Sequence, residues 1–393
     1  MQSHIVINFQ VRKVLTHEMD SESECLKLNV IFLKIGAAWP GDVSPVTWGN
    51  TLYSAYKILY RFLFMLCTLG IVLYCFFAYE TLEDLTENIS VFMTQTSLCG
   101  RFFVLAMYRK ELLVLIRTVA NNFYAPGPEE KAMVQRTIAI CQKLGKSIFI
   151  LYVFTTLAMI SHPLTADERV LPFKSWYPMM NSSVSPFYEL QYMAQASLTI
   201  MEGWFAGAMD SFVISMLLYG ALQFELVAHG IRKSKSVEEL RTCIQYHQAA
   251  LQYGEDMCTA LNPVFTVQVF SDNLLICVLG FQVMVMETDG IKIIRVLLHL
   301  VCAIFQIWFL CAFCSHFTTQ SSSVYEAAYE STWYDQKPAF KQMTWMVVER
   351  ARKPVALSAG LFGEMSLPLF SAIMRSSYSY MALLSQMNEE NFN

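Results

Sequence analysis

The chain has 393 residues, 55% hydrophobic and only 15% charged, with a mean hydropathy of +0.38 and a formal net charge of −4. A soluble domain carries about 25% charged residues spread over every helix, and the stretch 64–79 (FMLCTLGIVLYCFFAY) carries none, which argues against a soluble bundle. A transmembrane β-barrel would instead show short alternating segments.

In chain order, segment 1–57 mixes short apolar runs with charge and is broken at Trp39-Pro40. It lacks the apolar core of a cleavable signal peptide, so it is expected to be a cytoplasmic lead. Apolar runs of roughly 20 residues, the length a bilayer core demands, follow at 58–79, 89–108, 147–163, 192–227, 264–286, 291–317 and 361–387. The periodic pattern of the second run continues past the membrane through Leu112, Leu113, Leu115 and Ile116. Ala125-Pro-Gly-Pro128 then turns the chain, and a return helix from about residue 129 leads into the third run. The fourth run is too long for one crossing, which predicts a tilted helix extending beyond the bilayer. Stretch 236–261 reads as an amphipathic helix that stops at Asn262-Pro263, where the fifth span begins. Segment 322–356 reads as a helix pair joined near Trp333-Tyr-Asp-Gln-Lys-Pro338.

Lys and Arg set the orientation. Segment 1–57 holds five, and loops 109–146, 228–262 and 318–356 hold seven, four and five. Loops 80–88 and 287–290 hold none, and loop 164–191 holds two, Arg169 and Lys174. Basic loops stay in the cytoplasm. The N-terminus is therefore expected inside and, after seven spans, the C-terminus outside, the reverse of a G-protein-coupled receptor. Two glycosylation sequons, at Asn88 and Asn181, fall in loops assigned outside. The eleven cysteines avoid loop 164–191. Cys311 and Cys314 lie one helical turn apart but without His or carboxylate partners, so they are expected to pack rather than bind metal. No cofactor or nucleic-acid motif occurs, and no catalytic constellation is recognisable.

Loop 163–191 carries four prolines and several aromatics. It reads either as an ordered flap over the outer face or as an interfacial aromatic belt. Glu202, Asp210 and His299 are intramembrane polar residues and functional candidates by default, with packing or hydrogen-bond roles expected. Asp210 and Asp272 look isolated, which speaks against the paired charges of a transporter.

The last span is the least lipid-like. At spacings of three and four residues Ala372, Ser376, Ser379, Leu383 and Gln386 share one stripe. A stripe that is small and polar and then narrows at a leucine fits a pore wall with a hydrophobic constriction; it also fits a polar seam between helices. Glu389 and Glu390 beyond it would concentrate cations at an outer mouth or form a solvated tail.

Several motifs carry a resemblance. Ser323-Val-Tyr-Glu-Ala-Ala-Tyr329, Trp333-Tyr334-Asp335, Arg352-Lys353-Pro354, Leu357-Ser-Ala-Gly360 and Ser376-Ser-Tyr-Ser-Tyr380 resemble the C-terminal third of an insect odorant receptor. Pro172-Phe-Lys-Ser-Trp-Tyr-Pro178, Ser185-Pro186, Tyr188 and Gln195 are similar to its second outer loop and fourth span. The resemblance implies an all-α polytopic membrane protein with seven transmembrane helices whose inner ends extend into a cytoplasmic anchor region. Its parts would be a cytoplasmic segment 1–57, helices one to six over 58–317, anchor helices over 318–360, a pore-lining helix over 361–387 and an extracellular tail 388–393.

It also implies an odorant-binding subunit of a ligand-gated, non-selective cation channel, assembled as a heterotetramer with the co-receptor (Orco) in the plasma membrane of the olfactory dendrite. Its partners would be a small volatile odorant, the co-receptor and membrane lipid. The short loop 228–262 and the tail after Gln386 depart from the co-receptor pattern, which indicates a tuning subunit. Leu383 falls where the family places its gate and Gln386 where it places a pore glutamine, with Ser376 and Ser379 along the same wall. The family's pocket, among spans two to six in the outer half of the bilayer, maps here onto Phe92, Met93, Tyr152, Thr156, Met159, Met193, Ala196 and Phe281. Tyr152 and Thr156, one turn apart, could orient a polar ligand atom. The alternative is a seven-helix sensory receptor coupled to G protein. The absent Asp-Arg-Tyr triplet and Asn262-Pro-Val-Phe-Thr266 in place of an Asn-Pro-x-x-Tyr signature speak against it.

Overall fold

The structure is a computed structural model describing residues 29, 31–33, 48–79, 81–120, 127–165, 169–177, 184–285 and 290–392. It is all-α. The helices are α1 (Trp48–Phe77), α2 (Leu82–Met107), α3 (Arg109–Ala120), α4 (Pro128–Thr165), α5 (Phe187–Lys233), α6 (Val237–Val285), α7 (Gly290–Glu330), α8 (Pro338–Ala351) and α9 (Leu367–Phe392). Six of them (α1, α2, α4, α5, α6 and α7) are long and apolar enough to cross a bilayer. The seventh candidate, α9, carries Arg375 and several serines, and its composition falls short of that measure.

Helix α5 is the hub. Every residue from Phe205 to Phe224 is buried, because α4, α6 and α7 all pack along it. Peripheral α1 does the opposite. Leu52, Ile58, Phe62, Met65 and Phe76 are exposed along it, an apolar surface stable only against lipid or another chain. The entry to α2 is capped locally: Thr81 Oγ1 accepts from Asp84 N at 3.1 Å, with Glu83 and Asp84 in the first turn.

Several expectations need adjustment. The chain does not stop at Pro263. Helix α6 runs straight through it from Val237 to Val285. Proline removes one intrahelical hydrogen bond, but Leu261, Val264 and Phe265 are fully buried on either side of it. Tertiary packing therefore holds both halves on one axis. Asn262 then serves elsewhere: its Oδ1 accepts from Ser358 N at 2.9 Å. The second span and its extension are two helices, broken at Tyr108. The last helix starts six residues later than expected. Residues 358–364 instead form a tight reversal, in which Met365 N donates to Leu357 O at 2.9 Å and Ala359 N to Gly363 O at 2.8 Å. Gly363 sits at φ +89, where a Cβ would be strained. Helix α9 continues through residues 388–392.

The expected long helical extensions are present. Helices α5, α6 and α7 extend as long rods, and the turn Trp333–Asp335 delivers α8 back against α7 and α6. Ser321 Oγ accepts from Val355 N at 3.0 Å and closes this layer.

Candidate functional site

Five helices line a cavity of about 110 Å3. Each supplies a stripe at helical spacing. Val91, Thr94, Leu98 and Arg101 come from α2, and Tyr152, Thr155, Thr156 and Met159 from α4. Thr199, Glu202, Gly203 and Ala206 come from α5, Asp272 and Leu275 from α6, and His299, Cys302, Ala303 and Gln306 from α7. Helices α4 and α5 meet closely at Gly203, where a Cβ would lie 2.1 Å from Thr156 Oγ1. Only glycine permits that approach.

The cavity's polar groups are concentrated. Arg101 Nη1 pairs with Asp210 Oδ1 at 3.0 Å, and both side chains are buried. The other oxygen of Asp210 accepts from Tyr152 Oη and, at 2.8 Å, from Gln306 Nε2. One carboxylate thus ties together α2, α4, α5 and α7. The expectation of an isolated Asp210 is corrected: its partner sits 109 residues earlier on another helix. Glu202 Oε1 accepts from Gln95 Nε2 at 3.2 Å, and Thr94 Oγ1 lies 3.5 Å from His299 Nε2. Such placements in a low-dielectric interior specify helix register as much as they stabilise.

Residues of the loop between α4 and α5 close over this region. Phe173 lines the cavity, and its backbone N–H and C=O are both bonded by the Gln195 amide at 3.1 and 3.0 Å. Lys174 pairs with Asp84 at 2.6 Å, and Trp176 N donates to Gly70 O at 3.0 Å. Two further ion pairs, Lys292 with Glu83 and Arg295 with Glu87, strap α7 to α2 nearby.

Of the eight sequence-derived pocket residues, Tyr152, Thr156 and Met159 line this cavity. The other five do not. Phe92 packs with Ile71, Val91 and Phe173, and Met93 turns toward the main core. Met193 is 66% exposed, and Ala196 is half-buried on the face of α5 that carries Thr199 and Gly203, one turn short of the lining. Phe281 is buried farther along α6 than the lining residues Asp272 and Leu275. Ser97, Arg101, Glu202, Asp272, His299 and Gln306 were not assigned to the pocket from sequence. Their signal was polarity within apolar runs.

On α9, Ile373 and Ser377 are buried. Ser377 Oγ donates to Asn273 Oδ1 on α6 at 2.9 Å, and half-buried Ser376 reaches the same atom at 3.3 Å. Ala372, Ser379, Leu383 and Gln386 face away from the rest of the chain, with Leu383 52% exposed. The side chains of Glu389 and Glu390 lie outside the described residues.

Asn88 is corrected as a glycan site. It is 0% exposed, and its Nδ2, the atom a glycan would occupy, donates to Lys174 O at 2.9 Å. The variant Asn88→Gln is expected to leave the electrophoretic mobility of the expressed protein unchanged; a loss of glycosidase-sensitive mass would contradict this burial. Asn181 lies outside the described residues. Among the described residues, no cluster of three or more His, Cys, Asp or Glu side chains could hold a metal ion.

Residues 81–378 match the family model described as 7tm Odorant receptor. Odorant receptor 46a, isoform A, of Drosophila melanogaster is 22% identical over 91% of this chain and 96% of its own length. Odorant receptor 10 of Aedes albopictus is 24% identical over 58% of this chain, a region spanning 63% of that receptor. The solved structure of the insect olfactory receptor OR5 from Machilis hrabei in complex with eugenol superposes with a TM-score of 0.84. It is 17% identical, covering 94% of this chain and 100% of that one.

Proposed function

Since this chain belongs to the 7tm odorant receptor family, we propose that it is the odorant-binding subunit of a ligand-gated, non-selective cation channel. In this reading it assembles with the Orco co-receptor as a heterotetramer in the plasma membrane of olfactory dendrites, N-terminus inside and C-terminus outside. The charge asymmetry of the loops supports that orientation. A predominantly apolar cavity with a few convergent polar groups suits a small volatile molecule.

One observation carries the reading. Adjacent residues of α6 face two sites: Asp272 lines the cavity, and Asn273 holds Ser376 and Ser377 of α9. A ligand that packs better against a displaced α6 therefore also favours a displaced α9. Binding gates a channel only through such differential affinity for two states. Leu383 and Gln386, on the outward stripe of α9, are the proposed gate and pore lining, with Ser376 and Ser379 along the same wall. Tyr152, Thr156 and Met159 contact the odorant.

The test is co-expression with the co-receptor under voltage clamp, with G-protein signalling blocked and a broad odorant panel applied. Odorant-evoked cation currents are expected. Responses that vanish when G-protein signalling is blocked would favour the coupled-receptor alternative.

A further inference from the structure

The cavity holds more carboxyl groups than its cations can neutralise. Among the described residues Arg101 is the sole arginine or lysine in the lining, and its ion pair is with Asp210. Glu202 and Asp272 also line the cavity, and among the described residues neither forms an ion pair with Lys, Arg or His. Glu202 receives one neutral donor, the Gln95 amide. Asp272 is 2% exposed, and its Oδ2 is buried without a hydrogen-bond partner. A buried carboxyl in this condition is strongly disfavoured unless it gains a proton or a cation.

From this we infer that the cavity is built for small apolar amines, whose protonated nitrogen docks on one of these two unneutralised carboxyls, Asp272, with Glu202 the alternative acceptor elsewhere in the same lining. The inference rests on the odorant-cavity reading and specifies its ligand class. An ammonium group has three donors and no acceptor, which matches a surplus of carboxyl oxygens. An alkyl or aryl body fits the rest of the lining, which is mostly apolar, from Val91 and Leu98 to Leu275 and Ala303. Thr94, Thr155, Thr156 and Thr199 on α2, α4 and α5 each donate to their own helix at i−4, so none of these hydroxyls is left to donate to a neutral acceptor on a ligand. Their methyl groups are thereby left to contribute to the cavity wall.

The test uses the chain co-expressed with the co-receptor and two shape-matched ligand sets: benzylamine, benzyl alcohol and ethylbenzene, and hexylamine, hexanol and heptane. Currents are recorded at neutral pH. In parallel, ligand-induced thermal stabilisation of this chain is measured in the purified complex, with the co-receptor alone as control. In at least one set the amine is expected to act at a concentration at least about tenfold below the alcohol in both assays, the size of one good charge-assisted contact. Asp272→Asn is expected to remove that preference, raising the half-maximal amine concentration at least about tenfold relative to that of the alcohol of the same set. If that variant fails to assemble, Glu202→Gln is read in the same comparison.

Alcohols matching or outperforming amines in both sets would overturn the inference, since a protonated Asp272 would then be donating to neutral ligands. So would an amine preference that survives Asp272→Asn, or amines that leave the melting temperature unmoved. Asp272-dependent stabilisation without current keeps the inference and defeats the channel reading. Currents from other, neutral odorants with no amine effect keep the channel reading and defeat the inference.

Discussion

Arg101→Met is expected to destabilise the protein by about 3–5 kcal/mol, enough to remove most of it from the cell surface. The size follows from what is left behind. Asp210 is buried, and among the described residues Arg101 is the sole cation on its carboxylate. Tyr152 and Gln306 would still donate to it, but neutral donors do not cancel a charge held in a low-dielectric interior. Asp210 is also where α2, α4, α5 and α7 converge, so relaxation that hydrated it would pull the bundle apart. Removing both charges is expected to be gentler than removing one. The pair Arg101→Met with Asp210→Asn keeps acceptor and donor capacity for Tyr152 and Gln306 without a buried ion, and should restore most of the surface signal. The measurement is thermal melting of detergent-purified protein alongside surface labelling. A double variant no more stable than Arg101→Met alone would show that the guanidinium acts through packing rather than charge.

The rods were readable because apolar run length and turn chemistry are local properties. The overlong fourth run became α5, and Trp333-Tyr-Asp-Gln-Lys-Pro338 became the turn into α8. Pro263 misled because proline's local effect is legible while the burial of Val264 and Phe265 that overrides it is not. The cavity was harder. A pattern of apolar residues says which face of a helix is buried only when the opposite face is polar, and α2 and α5 are apolar on several sides. Phe92 and Met93 therefore looked as plausible as Val91 and Thr94, which lie on the same turn and line the space. On α4, Tyr152, Thr156 and Met159 were legible because their spacing keeps them on one stripe. The Arg101–Asp210 pair was invisible for a different reason: with 109 residues between partners, nothing local links them. Charges inside apolar runs advertise that a partner exists without saying which.

The same logic makes Leu383 the most informative position on the last helix. Leu383→Ala is expected to give a channel that conducts without odorant. Leu383 is 52% exposed in the single chain, so truncating it leaves no cavity in the fold, and expression should be unaffected. Its apolar area must instead be covered in the assembly. If it is covered by the equivalent helices around an ion path, it contributes mainly to the closed state. Removing it forfeits roughly 1.5–3 kcal/mol of apolar burial there, which shifts the closed-to-open ratio by about tenfold to a hundredfold. A channel open roughly 0.1% of the time at rest would then be open about 1–10% of the time, a current readily resolved over background. Ser377 and Ile373, which seat α9 on α6, lie two to three turns away and remain in place, so the odorant should still increase that current. Leu383→Phe, which keeps the apolar surface, is expected to stay closed at rest. An alanine variant that is silent at rest and gates normally would place the constriction elsewhere. It would leave Leu383 facing lipid or a neighbouring chain instead of the ion path.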